Sequence, residues 1–357
     1  SPETILGQRW YDGVSGYWVH DYQNDSTEAL RTSGVVVELV INDQAWSFDI
    51  ADAAFDPAES DSSGWWHVFD IIVSGTSVTV DTVLPQVAIA APGDGVVLTT
   101  THIVGDNSYH VVTADGTSTP ITGTTVLDGF TITAGKANGG AVPDHRGGGS
   151  YCDGSGSGGE CSPSLRNVTF SGNYARYGGG FYSNGPSGIS KPSFRYVTFS
   201  NNSAGDSGGA MFNNGVAGVS SPSLRDVTFT GNSADSYGGA MRNYGQNGDS
   251  HPSMRYVTFS DNHAESGGAI ASHGSLGASN PRLDTVIFSG NSADSNGGAM
   301  YNHGTFGTSS PTLTNVTFSG NSSGLHGGAM YNDGAEGASN PSLDNVIFTG
   351  NSAYGKG

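Results

Sequence analysis

From about residue 97 onward the apolar residues fall in short runs separated by Gly, Asn, Ser and Pro, and the runs recur on a fixed period. Pro stands at 163, 192, 222, 252, 281, 311 and 341, in steps of 29 or 30 residues. Phe follows in the same rhythm, from Phe170, Phe199 and Phe229 to Phe348, and an Asn comes three residues after each. A Gly-Gly pair closes the pattern, as at Gly208-Gly209 and Gly238-Gly239. No apolar helical period survives this punctuation. The runs are β-branched or aromatic, so they predict strands of about four to six residues.

Three such strands, turned by Gly and Asn, close one coil, and coils stack at the strand spacing of about 4.8 Å. About eight coils make a rod on the order of 40 Å long. The copies can be compared within the one chain. After Gly-Gly-Ala or Gly-Gly-Gly comes a large apolar residue (Phe181, Met211, Met241, Ile270, Met300, Met330), which points inward. The next position varies (Tyr182, Phe212, Arg242, Ala271, Tyr301, Tyr331) and by strand alternation points outward. The one after returns inward as Ser or Asn. Val168 and Phe170, with their equivalents, share the inner face, and stacked Asn amides satisfy one another from coil to coil.

Phe-Ser-Gly-Asn followed by Gly-Gly-Ala-Met resembles the FxxN and GGA[ILV] repeat of bacterial polymorphic outer-membrane proteins, and more generally right-handed parallel β-helix repeat proteins of the bacterial surface. Asn107–Val112 and Val126–Thr133 resemble the segments that open such helices. The resemblance covers residues 97–357. It implies an all-β chain dominated by a right-handed parallel β-helix, with a location at the bacterial cell surface. It says little about activity.

Upstream the repeat is absent. All five Trp lie within the first 66 residues, among alternating runs such as Val35–Ile41. Residues 1–85 read as a small antiparallel β-sandwich, and 86–96 as the joint to the helix.

The formal charge of −19, from 13 basic and 32 acidic residues, disfavours nucleic acid as a partner. No run of eighteen apolar residues occurs, so no transmembrane helix is expected. The two cysteines, Cys152 and Cys161, lie nine residues apart in a Gly-rich stretch. A local disulfide is the favoured reading, and it fits an oxidising, exported setting; two free thiols are the alternative.

Candidate chemistry is sparse. Asp206, Asp235, Glu265 and Asp294 precede successive Gly-Gly pairs and form an acidic stripe, with calcium as the one cofactor such a stripe could take. No pattern calls for another cofactor, and no catalytic residues are assigned. Arg166, Arg195, Arg225 and Arg255 occupy equivalent places in four successive coils, and their mutual repulsion calls for neighbouring Asp, a partner's acidic face or an acidic polysaccharide. Tyr182, Phe212, Tyr301 and Tyr331 read as exposed, able to stack on sugar rings or on a neighbouring subunit. His273 and His303 are equivalent in adjacent coils. The sequence stops inside a coil, leaving Phe348, Asn351 and Tyr354 as a candidate assembly end. The expectation is a non-enzymatic extracellular structural protein polymerised head-to-tail through that end. Two alternatives remain: a polysaccharide-binding or polysaccharide-cleaving β-helix protein, and an adhesin stalk.

Overall fold

The computed structural model describes residues 108–355. Upstream it describes only the backbone of seven short strands, Arg9–Trp10, Trp18–Asp21, Val36–Ile41, Gln44–Asp49, Trp66–His67, Asp70–Ser74 and Ser77–Asp81. These pair antiparallel, as in Val36–Ile41 against Gln44–Asp49. The sandwich expected over 1–85 and the joint at 86–96 otherwise lie outside the described residues. The chain divides into two units, Ser1–Asn107 and Ser108–Gly357.

The second unit is a parallel β-helix. Three parallel sheets run its length, each built from one strand per coil except in the first two coils of the longest sheet, where the strand is split in two. The long sheet carries Ser193–Ser200, Ser223–Thr230, Ser253–Ser260 and their equivalents through Ser342–Thr349. The short sheet carries pieces such as Ser203–Ser207 and Ser292–Asn296. The third sheet runs from Val112–Asp115 through Phe181–Asn184, Met211–Asn214 and Met241–Tyr244 to Met330–Asp333.

Registers between coils match the repeat. Phe199 pairs with Phe229, Phe229 with Phe259 and Met211 with Met241. The Phe rings stack nearly parallel, with centroids 4.7–4.9 Å apart from Phe170 to Phe348. Phe170 through Phe318 are fully buried, each contributing about 1.5–3 kcal/mol by leaving water. Ile132 takes the Phe place in an irregular first coil, giving seven regular coils after it.

The long strands are not straight. Leu224, Val227 and Phe229 all face inward, so two outward residues, Arg225 and Asp226, separate the first two. The extra residue is absorbed by a left-handed backbone at Asp226 (φ 55°), and the same kink recurs at Tyr196, Tyr256, Thr285, Asn315 and Asn345. The sequence expectation of strands of about four to six residues did not include this corner, which lies within strands of eight. At the Gly-Gly turn the two glycines do different work. Gly238 is left-handed (φ 67°), and a Cβ on Gly239 would lie 2.3 Å from the carbonyl oxygen of Gly268 in the next coil.

The Asn column closes the turns. Asn202 Nδ2 donates to Asn232 Oδ1 at 3.0 Å and to the Phe170 carbonyl at 2.9 Å, while its backbone N–H donates to the same Asn232 oxygen at 3.0 Å. The pattern repeats at Asn232, Asn262, Asn291 and Asn321. A buried polar column is thereby satisfied without water.

Candidate functional site

The variable position of the third sheet forms a ladder of outer side chains: Tyr151, Tyr182, Phe212, Arg242, Ala271, Tyr301 and Tyr331. Strand alternation placed these outward, and so they are. Tyr182 and Phe212 are nonetheless buried, at 2% and 8% exposure, contrary to the exposed surface expected of them. The cause is cover from beside the ladder. Between Ala137 and Arg146 the coil carries an insertion absent from the equivalent step Ala175–Tyr177. It brings His145 against Tyr177 and the Arg146 guanidinium 5.2 Å from the Tyr182 ring centroid. Tyr177 stands edge-on to Phe212 at 5.6 Å, and Tyr182 stacks on Phe212 at 5.1 Å.

Tyr301 and Tyr331 are half-buried and stack on each other at 5.8 Å. Between Arg242 and Tyr301 the ladder drops to Ala271, which is fully buried. Tyr237, on the neighbouring turn, stacks on Tyr301 at 6.2 Å. The same ring lies 4.6 Å from the Arg242 guanidinium, with Tyr244 also near it at 5.7 Å.

The stretch of the ladder from Tyr182 to Arg242 and its neighbours line a cleft of about 460 Å³. Its walls include the rings of Tyr177, Tyr182, Phe212, Tyr237 and Tyr244, and its charged groups are Arg146, Arg176, Arg242 and Asp206. Asp206 accepts a hydrogen bond from the Ser207 hydroxyl at 2.8 Å and lies 3.9 Å from Arg176. Arg242 is only 6% exposed, and burial lowers its pKa to about 10, so it stays cationic at neutral pH. Arg242 Nη1 and Arg146 Nε have no hydrogen-bond partner. Burial likewise raises the Tyr182 hydroxyl to about 12, so it stays protonated and able to donate.

The acidic stripe does not form as expected. Ala204, Ala234, Ala264 and Ala293 occupy equivalent inner places, and Asp235, Glu265 and Asp294 each follow directly as exposed residues. Asp206 comes one residue later, because Gly205 intervenes, and it faces the cleft instead. Grouping all four as one row before Gly-Gly overlooked this offset, which is present although Ala204–Gly208 and Ala234–Gly238 are equally long. Among the described residues no three His, Cys, Asp or Glu side chains gather as a metal site, so the calcium expectation gains no support.

The arginine ladder is in register on the long sheet: Arg166, Arg195, Arg225 and Arg255 pair in succession, with Asp128 before them and Asp284 after. Arg195 and Arg255 lie over Tyr196 and Tyr256 at 4.9 Å, and Arg255 meets Asp284 at 3.2 Å. Arg225 lies 3.4 Å from Asp226. Local aromatic and acidic neighbours therefore supply much of what the repulsion calls for, on a sheet other than that of the cleft. His273 and His303 stack at 4.7 Å, and His303 Nδ1 lies 3.0 Å from Asp333. Phe348, Asn351 and Tyr354 belong to the last described coil. Phe348 is 48% exposed and Tyr354 94%. A further coil from any source would cover that ring equally, so its exposure selects no mode of assembly.

Cys152 and Cys161 form a disulfide within one coil. The cleft's key residues, Tyr177, Tyr237 and Arg146, were not legible as site residues. The one signal was Arg242, a cation in a ladder of rings.

Segments 196–210, 226–240, 256–273 and 285–302 match the Chlamydia polymorphic membrane protein repeat. Each match opens on a left-handed kink residue, Tyr196, Asp226, Tyr256 or Thr285, and runs through the Phe and Asn columns into the Gly-Gly turn. No curated protein and no solved structure matches the chain. The chain is a parallel β-helix repeat protein whose repeats are like those of the Chlamydia polymorphic membrane proteins.

Proposed function

We propose that this is a bacterial surface protein of adhesin type, in which a rigid, non-enzymatic β-helix presents a recognition cleft on its side. The repeat type supports the surface location. One observation carries the adhesin reading. The inner Phe and Asn columns repeat with little change and satisfy themselves, whereas the outer ladder of the third sheet breaks the repeat at the cleft. Uniform inner columns serve stiffness; departures from the repeat on one outer face serve contact.

A polysaccharide-cleaving enzyme would need carboxylates gathered for acid–base work. Asp206 is the one carboxylate lining the cleft, and Asp235, Glu265 and Asp294 stand exposed on the short sheet. We therefore favour binding without cleavage.

Latex beads coated with the full chain should attach to animal-cell or matrix surfaces more than beads coated with an inert protein. Polysaccharides incubated with the chain should show no new reducing ends. Attachment no better than the inert control would overturn the adhesin reading, and accumulating reducing ends would overturn the non-enzymatic one.

A further inference from the structure

Two of the cleft's three arginines, Arg242 and Arg146, each have a guanidinium nitrogen lacking a hydrogen-bond partner. The Arg–carboxylate ion pairs among the described residues engage Arg176, Arg225 and Arg255 instead. Arg242 is more than nine-tenths buried, between the rings of Tyr237 and Tyr244. Burying a cation that makes no ion pair is unfavourable, and ring faces offset this only partly. On a chain of formal charge −19, three arginines against one aspartate at a single cleft is a local reversal of sign.

We propose that the cleft binds an acidic sugar unit of a glycan, its carboxylate pairing with Arg242 and Arg146 and its ring lying against the cleft's tyrosines. This rests on the cleft being the recognition site of the surface protein. The guanidinium fork matches a carboxylate in two parallel hydrogen bonds. Tyr177 and Tyr237 line the cleft and give it apolar ring surface for the apolar side of a sugar. The cleft's tyrosine hydroxyls and Asn214 both donate and accept, and Asp206 accepts, which suits a ring of hydroxyl groups. An acidic peptide would supply the carboxylate but leave most of these polar groups without partners. The cleft's volume of about 460 Å³ is in the range of small-ligand sites.

Isothermal titration of the full chain with a galacturonate trisaccharide, a galactose trisaccharide and a glutamate-containing tripeptide tests this. The acidic sugar should bind, and the neutral sugar and the peptide should bind at least tenfold more weakly. Arg242→Gln should weaken the acidic sugar by about tenfold or more. It should leave the melting temperature unchanged or raised, since it removes a buried unpaired charge. Arg146→Gln, at the coil residue where the insertion ends, should weaken binding as well and serves if Arg242→Gln does not fold. Equal binding of the neutral sugar, preference for the peptide, absence of binding at millimolar acidic sugar, or unchanged affinity in a folded variant would each overturn the proposal. Bead attachment that the acidic sugar does not compete overturns this inference and leaves the adhesin reading intact. Sugar binding without bead attachment does the reverse.

Discussion

Asn232 Nδ2 donates to Asn262 Oδ1 at 3.0 Å, and the Asn232 backbone N–H donates to the same oxygen at 3.0 Å. One amide oxygen thus takes two donors from the coil before, while the amide nitrogen ties Asn232 back to the Phe199 carbonyl at 3.0 Å. Asn232→Ala would orphan the Asn202 donors and remove the bond to the Phe199 carbonyl at once. The expected cost is on the order of 3 kcal/mol, read as a lower urea midpoint. A change below about 0.5 kcal/mol would show that the column is ornamental.

The Phe column makes a graded prediction. Phe229 is fully buried between Phe199 and Phe259, whereas Phe348 is 48% exposed. Phe229→Ala should cost about 3–5 kcal/mol, and Phe348→Ala about 1 kcal/mol. Equal losses in urea denaturation would contradict the burial difference.

Cys152 and Cys161 sit one coil before Ser183 and Ser190, whose hydroxyl oxygens lie 2.7 Å apart. The disulfide takes the place that a hydrogen bond holds in the next coil. Replacing both cysteines by Ser should therefore preserve the fold. It should cost no more than about 3 kcal/mol, the chain-entropy value for a short closed loop. Native circular dichroism with a lowered melting temperature is the expected result, and loss of the β spectrum would refute it.

His273 is held neutral. Burial, then the Arg242 charge and His303, lower its pKa to about 3 from an ordinary 6.5. Between those values the unfolded chain binds a proton that the folded chain refuses. The His273 contribution is therefore full above about pH 6.5 and is lost as pH falls toward 3. Its imidazole resonances should not titrate between about pH 5 and 8. Arg242→Gln should raise its midpoint, since one of the opposing charges is gone. A wild-type midpoint near the ordinary value would contradict the packing.

The columns were legible in the sequence because each inner residue meets its own counterpart 29 or 30 positions away, so the repeat and the contact are the same fact. Phe199, Asn202 and Met211 needed only counting. The cleft was not legible, because it consists of what breaks the repeat. Alternation says that Tyr182 points outward, but not that Arg146, 36 residues earlier, folds over it. Tyr237 was unremarkable until its ring lay over Arg242. Asp206 left the row because Gly205 follows Ala204 where the other coils have the acidic residue, so its carboxylate sits one place further on and lines the cleft.

The account stands on one winding per repeat. Thr228 and Thr258 are direct partners on neighbouring long strands, half-buried on the outer face, while Thr198 lies one coil further from Thr258. Paired cysteines at 228 and 258 should cross-link under mild oxidation, since adjacent strands bring the Cα atoms within disulfide reach. Cysteines at 198 and 258 should not, being two coils apart. Cross-linking of the distant pair, or failure of the adjacent one in a folded protein, would contradict the stacked coil.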